Sequence, residues 1–264
     1  MQQFSAAYLR ESRRGLWAGD REALGPLSLG DRDRILDVGA GTGAFTELLA
    51  EESDADLVAL DADPNLLAGV EAGERVLGDA TRLPIAGDAV DLAVCQALLV
   101  NLPDPGRAVR ELGRVSSDLV AAVEPDNAAV SVDSTVPIEA VLARRAREAY
   151  IDGHGPDATL GAEAEALFRE AGLRDVRTTR HVRERTIAPP YGDYHLREAV
   201  RKVRATRIEA NRETFLSGGL TATEFDDLRS DWRAMGRQVV GQMEAGEYRR
   251  SESLPIYVTI GRTD

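Results

Sequence analysis

Five short apolar blocks, residues 35–38, 57–60, 75–77, 92–95 and 119–123, mark out the first half of the chain. None alternates apolar with polar residues as a sheet wetted on one face would, and helical or connecting segments such as 46–51, 64–72 and 106–115 separate them. Buried strands alternating with helices predict a parallel sheet covered on both faces, an α/β fold.

The pattern then changes. Helices are expected over 138–150, with Val141, Leu142 and Ala149 apolar, and over 161–171, closed by Gly172; a strand is expected over 175–187. Residues 189–253 interrupt the series with two helical stripes. The first carries Leu196, Val200, Val203, Ile208 and Phe215, and the second Phe225, Leu228, Trp232, Met235, Val239 and Met243. Gly218-Gly219 separates them, and Thr221 with Glu224 has the spacing of a capping box at the start of the second. The stretch SLPIYVTIGR, 253–262, returns as a last strand. Ahead of the series, Phe4, Tyr8, Leu9 and Trp17 predict a helix over 4–18. The expected organisation is a helical lead (1–29), an α/β domain (30–188 and 254–264) and a helical insertion (189–253) that serves as a lid or a dimer contact.

Composition narrows the class. With 264 residues, 43% hydrophobic and 29% charged, the chain can bury a sizeable core. The longest mostly apolar stretch, 90–100, is broken by Asp91 and Gln96 and falls short of the roughly 20 residues that span a bilayer, so no membrane segment is expected. The charged start predicts no export signal and a cytoplasmic location. Cys95 is the only cysteine, which excludes an internal disulfide and any multi-cysteine metal or iron–sulfur site. A net charge of −13 disfavours binding to phosphate backbones. Lysine occurs once, at Lys202, among many Arg, Asp and Glu residues, a bias like that of proteins from salt-loving organisms, so acidity argues only weakly against nucleic acid.

The chemistry begins at ILDVGAGTGAF, residues 35–45. In an open parallel sheet the strand-to-helix turns line the carboxyl edge, where ligands lie. Gly39, Gly41 and Gly43 permit positive φ and close approach of a ligand to the backbone, and the following helix offers free N–H groups. Asp37 would repel a pyrophosphate but suits a ligand with a cationic amino or sulfonium group. Asp61 ends the next strand, where it can accept both hydroxyls of a ribose. Asp79 follows the third strand and can accept a hydrogen bond from an adenine amino group.

In order, DVGAGTG, ALDADP, LGDATRLP and DLAVCQALLVNLPDPGRAVREL resemble the signature of the class I S-adenosylmethionine-dependent methyltransferases, in the subgroup acting mostly on small molecules. The resemblance covers residues 30–188 and the terminal strand. It implies a Rossmann-like sheet of seven strands with the last antiparallel, S-adenosylmethionine as cofactor, and methyl transfer to O, N or C of a small acceptor. It further implies that Asp37, Gly39, Gly41 and Gly43 hold the methionyl end, Asp61 and Ala62 the ribose, and Asp79 and Ala80 the adenine. Gln96 would face the methionyl portion or the reaction crevice. Two departures fall on the acceptor side: Asn101 stands where the subgroup often has His, and GRVSSDL replaces a Pro-Gly-Gly turn.

An acceptor that must lose a proton needs a base within reach. The candidates are Glu124 and Asp126 in VEPDN after the fifth strand, and His195 at the start of the insertion; His154 and His181 read as a turn residue and an Arg-rich strand residue. The histidines have no metal-binding spacing, so no metal is expected, and Cys95 reads as core. Tyr8 and Trp17 are placed either over the cofactor or on the sheet edge, and a homodimer is a possible assembly. The alternatives are a noncatalytic cofactor-binding relative, a nicotinamide-nucleotide oxidoreductase on a similar sheet and, third, an RNA methyltransferase.

Overall fold

The computed structural model describes residues 21–263, so the expected leading helix, with Tyr8 and Trp17, lies outside the described residues. The described chain forms two compact units, one built from residues 21–125, 160–181 and 256–263, the other from 126–159 and 182–255.

The first unit holds the parallel sheet. Its strands are β1 (Arg34–Val38), β2 (Asp56–Asp61), β3 (Glu74–Leu77), β4 (Val90–Gln96) and β5 (Ser116–Pro125), joined by the first part of β7 (Arg174–Ile187) and the later part of β8 (Arg250–Arg262), which fall in this unit. The pairings β2–β3, β1–β2, β1–β4 and β4–β5 are parallel, whereas β5 and β8 pair antiparallel from Leu119↔Arg262 to Pro125↔Ile256. A strand has two edges, and β5 occupies one edge of β8, so β7 takes the other; the order is β3-β2-β1-β4-β5-β8-β7. A hydrogen bond of 3.0 Å joins the hydroxyls of Thr178 and Thr259 across that last pairing.

Both faces are buried at β1, β2, β4 and β5, as their unalternating sequence blocks require, whereas the block 75–77 falls in the edge strand β3, which is largely exposed, Leu77 by 58%. Leu36, Val38, Leu60, Ala93, Cys95, Val120 and Ala122 pack with Ala108, Val109, Leu112 and Val115 from helix Pro105–Val115 and with Phe168. The other face takes Ala59 with Ala40, Leu67 and Val70. Local sequence fixes the connections. The β1 turn opens onto helix α1 (Ala44–Glu52), and Asp63 caps a single helical turn, α2 (Pro64–Leu67). Asp104 caps α3 (Pro105–Val115) by accepting from Arg107 N at 3.0 Å; Pro64 and Pro105 each sit at the first helical position, where a missing N–H costs nothing.

The second unit contains β6 (Ser131–Ser134), which pairs antiparallel with Arg250–Ser253 of β8, and helix α4 (Pro137–Gly153). The later helices are α6 (Asp193–Arg204), α7 (Thr206–Ala210), α8 (Arg212–Ser217) and α9 (Ala222–Glu244); α5 (Ala164–Glu170) belongs to the first unit. The capping box forms: Thr221 Oγ1 accepts from Glu224 N at 3.2 Å, and the Glu224 carboxylate accepts from Thr221 N at 2.9 Å. The first helical stripe, expected to be continuous, is broken at Ala205, whose φ of 52° is left-handed, and again at Asn211. Trp232 and Met243 pack in or against this unit's core. The strand β6 is too short and polar to be seen as an apolar block.

Beneath that core lies a charged cluster. The carboxylate of Glu139, 2% exposed, accepts from Ser134 Oγ at 2.6 Å and from Tyr248 OH at 2.9 Å, and it pairs with Lys202 Nζ and, at 3.3 Å, with Arg250 Nε. Burial pushes the Glu139 carboxyl up, but Lys202, Ser134 and Arg250 outweigh it and hold the group below its ordinary value. Burial pulls the Lys202 ammonium down despite Glu139.

Candidate functional site

The carboxyl ends of β1, β2 and β4 and the segment after β3 define the crevice. After Val38 the chain turns through Gly39, Gly41 and Gly43, with φ of 74°, 58° and 85°. Each value is left-handed, which costs about 1–2 kcal/mol for a residue with a Cβ. Space adds a second constraint at two of them. A Cβ on Gly39 would lie 2.8 Å from Leu98 Cδ1, and one on Gly43 would lie 3.1 Å from the backbone and side chain of Val70.

Asp61, at the end of β2, is tied to this turn. Its Oδ2 accepts from Gly41 N at 2.8 Å and its Oδ1 from Asp63 N at 2.8 Å. Gly39 N and Ala40 N donate to Leu60 O at 2.7 and 3.0 Å, so the glycine loop is clamped to the strand that presents Asp61. A carboxylate has about four lone-pair sites. Two are taken by the backbone, and the half-buried group can take further donors, the requirement for a ribose diol. Ala62, beside it, is exposed.

Asp37 is 1% exposed and accepts from Thr46 Oγ1 at 2.7 Å, a bond that joins β1 to the first turn of α1. Asp79 is exposed; its Oδ1 accepts from Thr81 N and Thr81 Oγ1, both at 2.8 Å. Those two bonds, followed in effect by the charge of Arg107, hold its carboxyl below the usual range. Ala80 beside it is buried. Gln96, which ends β4, is 5% exposed, and its Oε1 finds no hydrogen-bond partner; buried Thr42 Oγ1 in the glycine loop is in the same condition. Buried polar atoms ordinarily have partners. These two, together with a loop that has glycine at three of its five positions, fit a polar ligand laid against the backbone, as S-adenosylmethionine would be.

The structure therefore brings Asp37, Gly39, Gly41, Gly43, Asp61, Ala62, Asp79, Ala80 and Gln96 into one unit, at the carboxyl ends of neighbouring strands. The candidates for a base are distributed differently. Glu124 is the penultimate residue of β5 and wholly buried, with both carboxylate oxygens engaged by main-chain N–H groups of 98–100. Asp126 and His195 belong to the second unit. There Asp126 accepts from Ala128 N and Ala129 N, and His195 Nδ1 accepts from Gly192 N at 3.3 Å at the start of α6. His154 ends α4, stacked on Tyr150, and His181 lies in β7. Burial first, then the charges of Glu124 and Asp37, push the Cys95 thiol well above its ordinary pKa, so it is no thiolate nucleophile. Among the described residues no group of His, Cys, Asp and Glu could hold a metal ion, and no helix is long and apolar enough to cross a membrane.

A family profile described as "Methyltransferase domain" matches residues 36–118, all within the first unit. The matched stretch holds the glycine turn with Asp37, Asp61, Asp79 and Gln96, so what the chain resembles there is a methyltransferase domain. Curated relatives of the chain include a demethylmenaquinone methyltransferase of Mycobacterium marinum, 35% identical over 119 residues, and one of Mycolicibacterium paratuberculosis, 39% identical over 92. These matches cover 44% and 34% of the chain, and the chain spans 48% and 40% of the respective relatives. Among solved structures, a Bacillus halodurans protein assigned as a methyltransferase superposes with a TM-score of 0.55 at 16% identity, covering 94% of this chain and all of the other. The phosphoethanolamine N-methyltransferase 2 of Haemonchus contortus, with S-adenosylhomocysteine bound, gives 0.54 at 14% identity, covering 99% of this chain and 59% of its own. At such identities the likeness is one of fold.

Gln96 and Thr42 show what sequence reasoning finds and misses. Gln96 was placed by its position after the fourth strand; nothing marked Thr42 among three glycines. The only signal was its place inside the loop.

Proposed function

We propose that this chain transfers the methyl group of S-adenosylmethionine to a small-molecule acceptor at O, N or C. The observation that carries the reading is the union of the positive-φ glycine turn with the Asp61 carboxylate through Gly41 N, an arrangement that supports a nucleoside site at the strand ends. The cofactor supplies an electrophilic methyl on a sulfonium. The chain's own task is then alignment and exclusion of water. In this reading Asp61 and Ala62 take the ribose, Asp79 and Ala80 flank the adenine, and Asp37, Gly39, Gly41 and Gly43 hold the methionyl end, the buried acid favouring its cationic groups. Gln96, whose buried amide oxygen has no protein partner, faces the methionyl portion or the reaction crevice in the same reading.

Asp126 and His195 are the residues of this chain from which a base would be drawn if the acceptor must lose a proton; an acceptor that presents a lone pair needs none. Residues 189–253 act as a lid or as a homodimer contact, the reaction is cytoplasmic, and the net charge of −13, in a composition with a halophile-like bias, counts only weakly against nucleic acid as a partner. The match to the family profile ends before the second unit, so the acceptor is to be sought experimentally, and demethylmenaquinone, named in the relatives, heads the panel. The test is calorimetric titration with S-adenosylhomocysteine and with NAD, followed by incubation with methyl-labelled cofactor and a metabolite panel. Binding of S-adenosylhomocysteine and labelled product are expected; NAD binding in its place overturns the reading, and cofactor binding with no product from any acceptor favours a noncatalytic relative.

A further inference from the structure

Glu124 is 0% exposed, and three consecutive main-chain donors converge on it. Oε1 accepts from Leu98 N and Leu99 N at 3.0 Å each, and Oε2 accepts from Val100 N at 3.3 Å. Those amides open the short helical turn Leu99–Asn101 that follows β4 and have no partner within it. The backbone that carries this carboxylate is held in the β5–β8 ladder, where Glu124 is paired with Tyr257.

The clamped segment begins at the crevice. Between Gln96 and Leu98 the chain passes through Ala97, which adopts a left-handed φ of 48° and is held by Ala97 N donating to Val123 O at 2.9 Å and by Asn101 Nδ2 donating to Ala97 O at 2.8 Å. Such a conformation persists only where its surroundings over-determine it. Leu98 then lays its side chain on Gly39, so closely that a Cβ there would meet Leu98 Cδ1 at 2.8 Å. One buried carboxylate thus holds the leucine that follows the strained residue and braces the glycine turn, while Gln96 before it is held by its pairing with Val123 of β5.

We propose that Glu124 is a positioning residue for the cofactor crevice, holding the Gln96–Ala97–Leu98 turn against the glycine loop. The inference rests on the methyltransferase reading above. A base must reach a proton on the acceptor, and this carboxylate reaches three backbone amides instead. Its charge matters to the geometry: a carboxamide has one acceptor oxygen, and its NH2 would face N–H donors.

The test is Glu124→Gln and, separately, Leu98→Ala, each titrated with S-adenosylhomocysteine by calorimetry beside the wild type. A wild type that does not bind sinks the functional reading and leaves the positioning role without a subject, which separates that failure from failure of this inference. With wild-type binding in hand, Glu124→Gln is expected to raise Kd about tenfold or more at undiminished stoichiometry, and Leu98→Ala about threefold to tenfold. In turnover, KM for S-adenosylmethionine rises while kcat changes less. A reduced stoichiometry with unchanged Kd indicates a residue needed only for folding and overturns the proposal, as does unchanged Kd at full stoichiometry. If Glu124→Gln does not fold, Leu98→Ala decides: a weakened Kd supports the relay onto Gly39, and a wild-type Kd refutes it.

Discussion

Replacing Asp61 by Asn removes the charge that the site is built around while keeping the shape, and the structure sets the size of the effect. Both carboxylate oxygens are occupied, one by Gly41 N and one by Asp63 N, each at 2.8 Å. Asn keeps one oxygen, so one amide loses its acceptor and faces an NH2 group instead. A bound ribose loses a charged acceptor as well. Hydrogen bonds to charged groups contribute about 1.5–3 kcal/mol, and about 1.4 kcal/mol corresponds to a tenfold change in Kd, so binding of S-adenosylhomocysteine is expected to weaken roughly 10- to 150-fold. Asp79→Asn is the internal control. Thr81 N and Thr81 Oγ1 both use Oδ1 of Asp79, and an Asn oxygen can retain both, so its penalty is expected to be the smaller of the two. Calorimetry on the two variants, with thermal melts to verify folding, reads the difference. If Asp61→Asn binds within threefold of wild type, or if Asp79→Asn is the worse binder, the ribose assignment fails.

Gly43→Ala should cost about 1–2 kcal/mol for its left-handed φ of 85°, with crowding against Val70 in addition, and urea unfolding measures the loss. In the second unit Glu139 and Glu252 are both held below their ordinary pKa: burial opposes ionisation, and Lys202 for the first and Arg250 for the second more than compensate. The unfolded chain then takes up protons first on acidification, so the stability these groups contribute is complete above the unfolded carboxyl range and is lost as pH falls through their folded values. Melting temperature against pH should fall less steeply in Glu139→Gln than in wild type, and an identical acid limb would refute the linkage.

Much of the first unit was legible because its physics is local. Buried parallel strands must be apolar on both faces, so residues 35–38, 57–60, 92–95 and 119–123 declared themselves; a helix start needs a cap, so Thr221 did as well. The second unit was less legible. The break at Ala205 has no Gly or Pro to announce it, and it accompanies a contact in which Gly236 of α9 lies against Lys202 and Val203 of α6, where a Cβ would come within 2.5 Å of Val203 N. A close approach between residues far apart in sequence leaves no periodic trace.

The sequence alone determined the order of the parallel strands of the first unit, the glycines that take positive φ, and the acids at the strand ends, because backbone sterics and hydrophobic periodicity act over a few residues. Tertiary structure decided what each acid does. Glu124 and Asp126 stand two positions apart in one motif, yet one is sealed behind three amides of a turn from β4 and the other folds back on its own loop. A carboxylate's role is set by the donors that reach it and by the water it loses, and both come from segments distant in the chain.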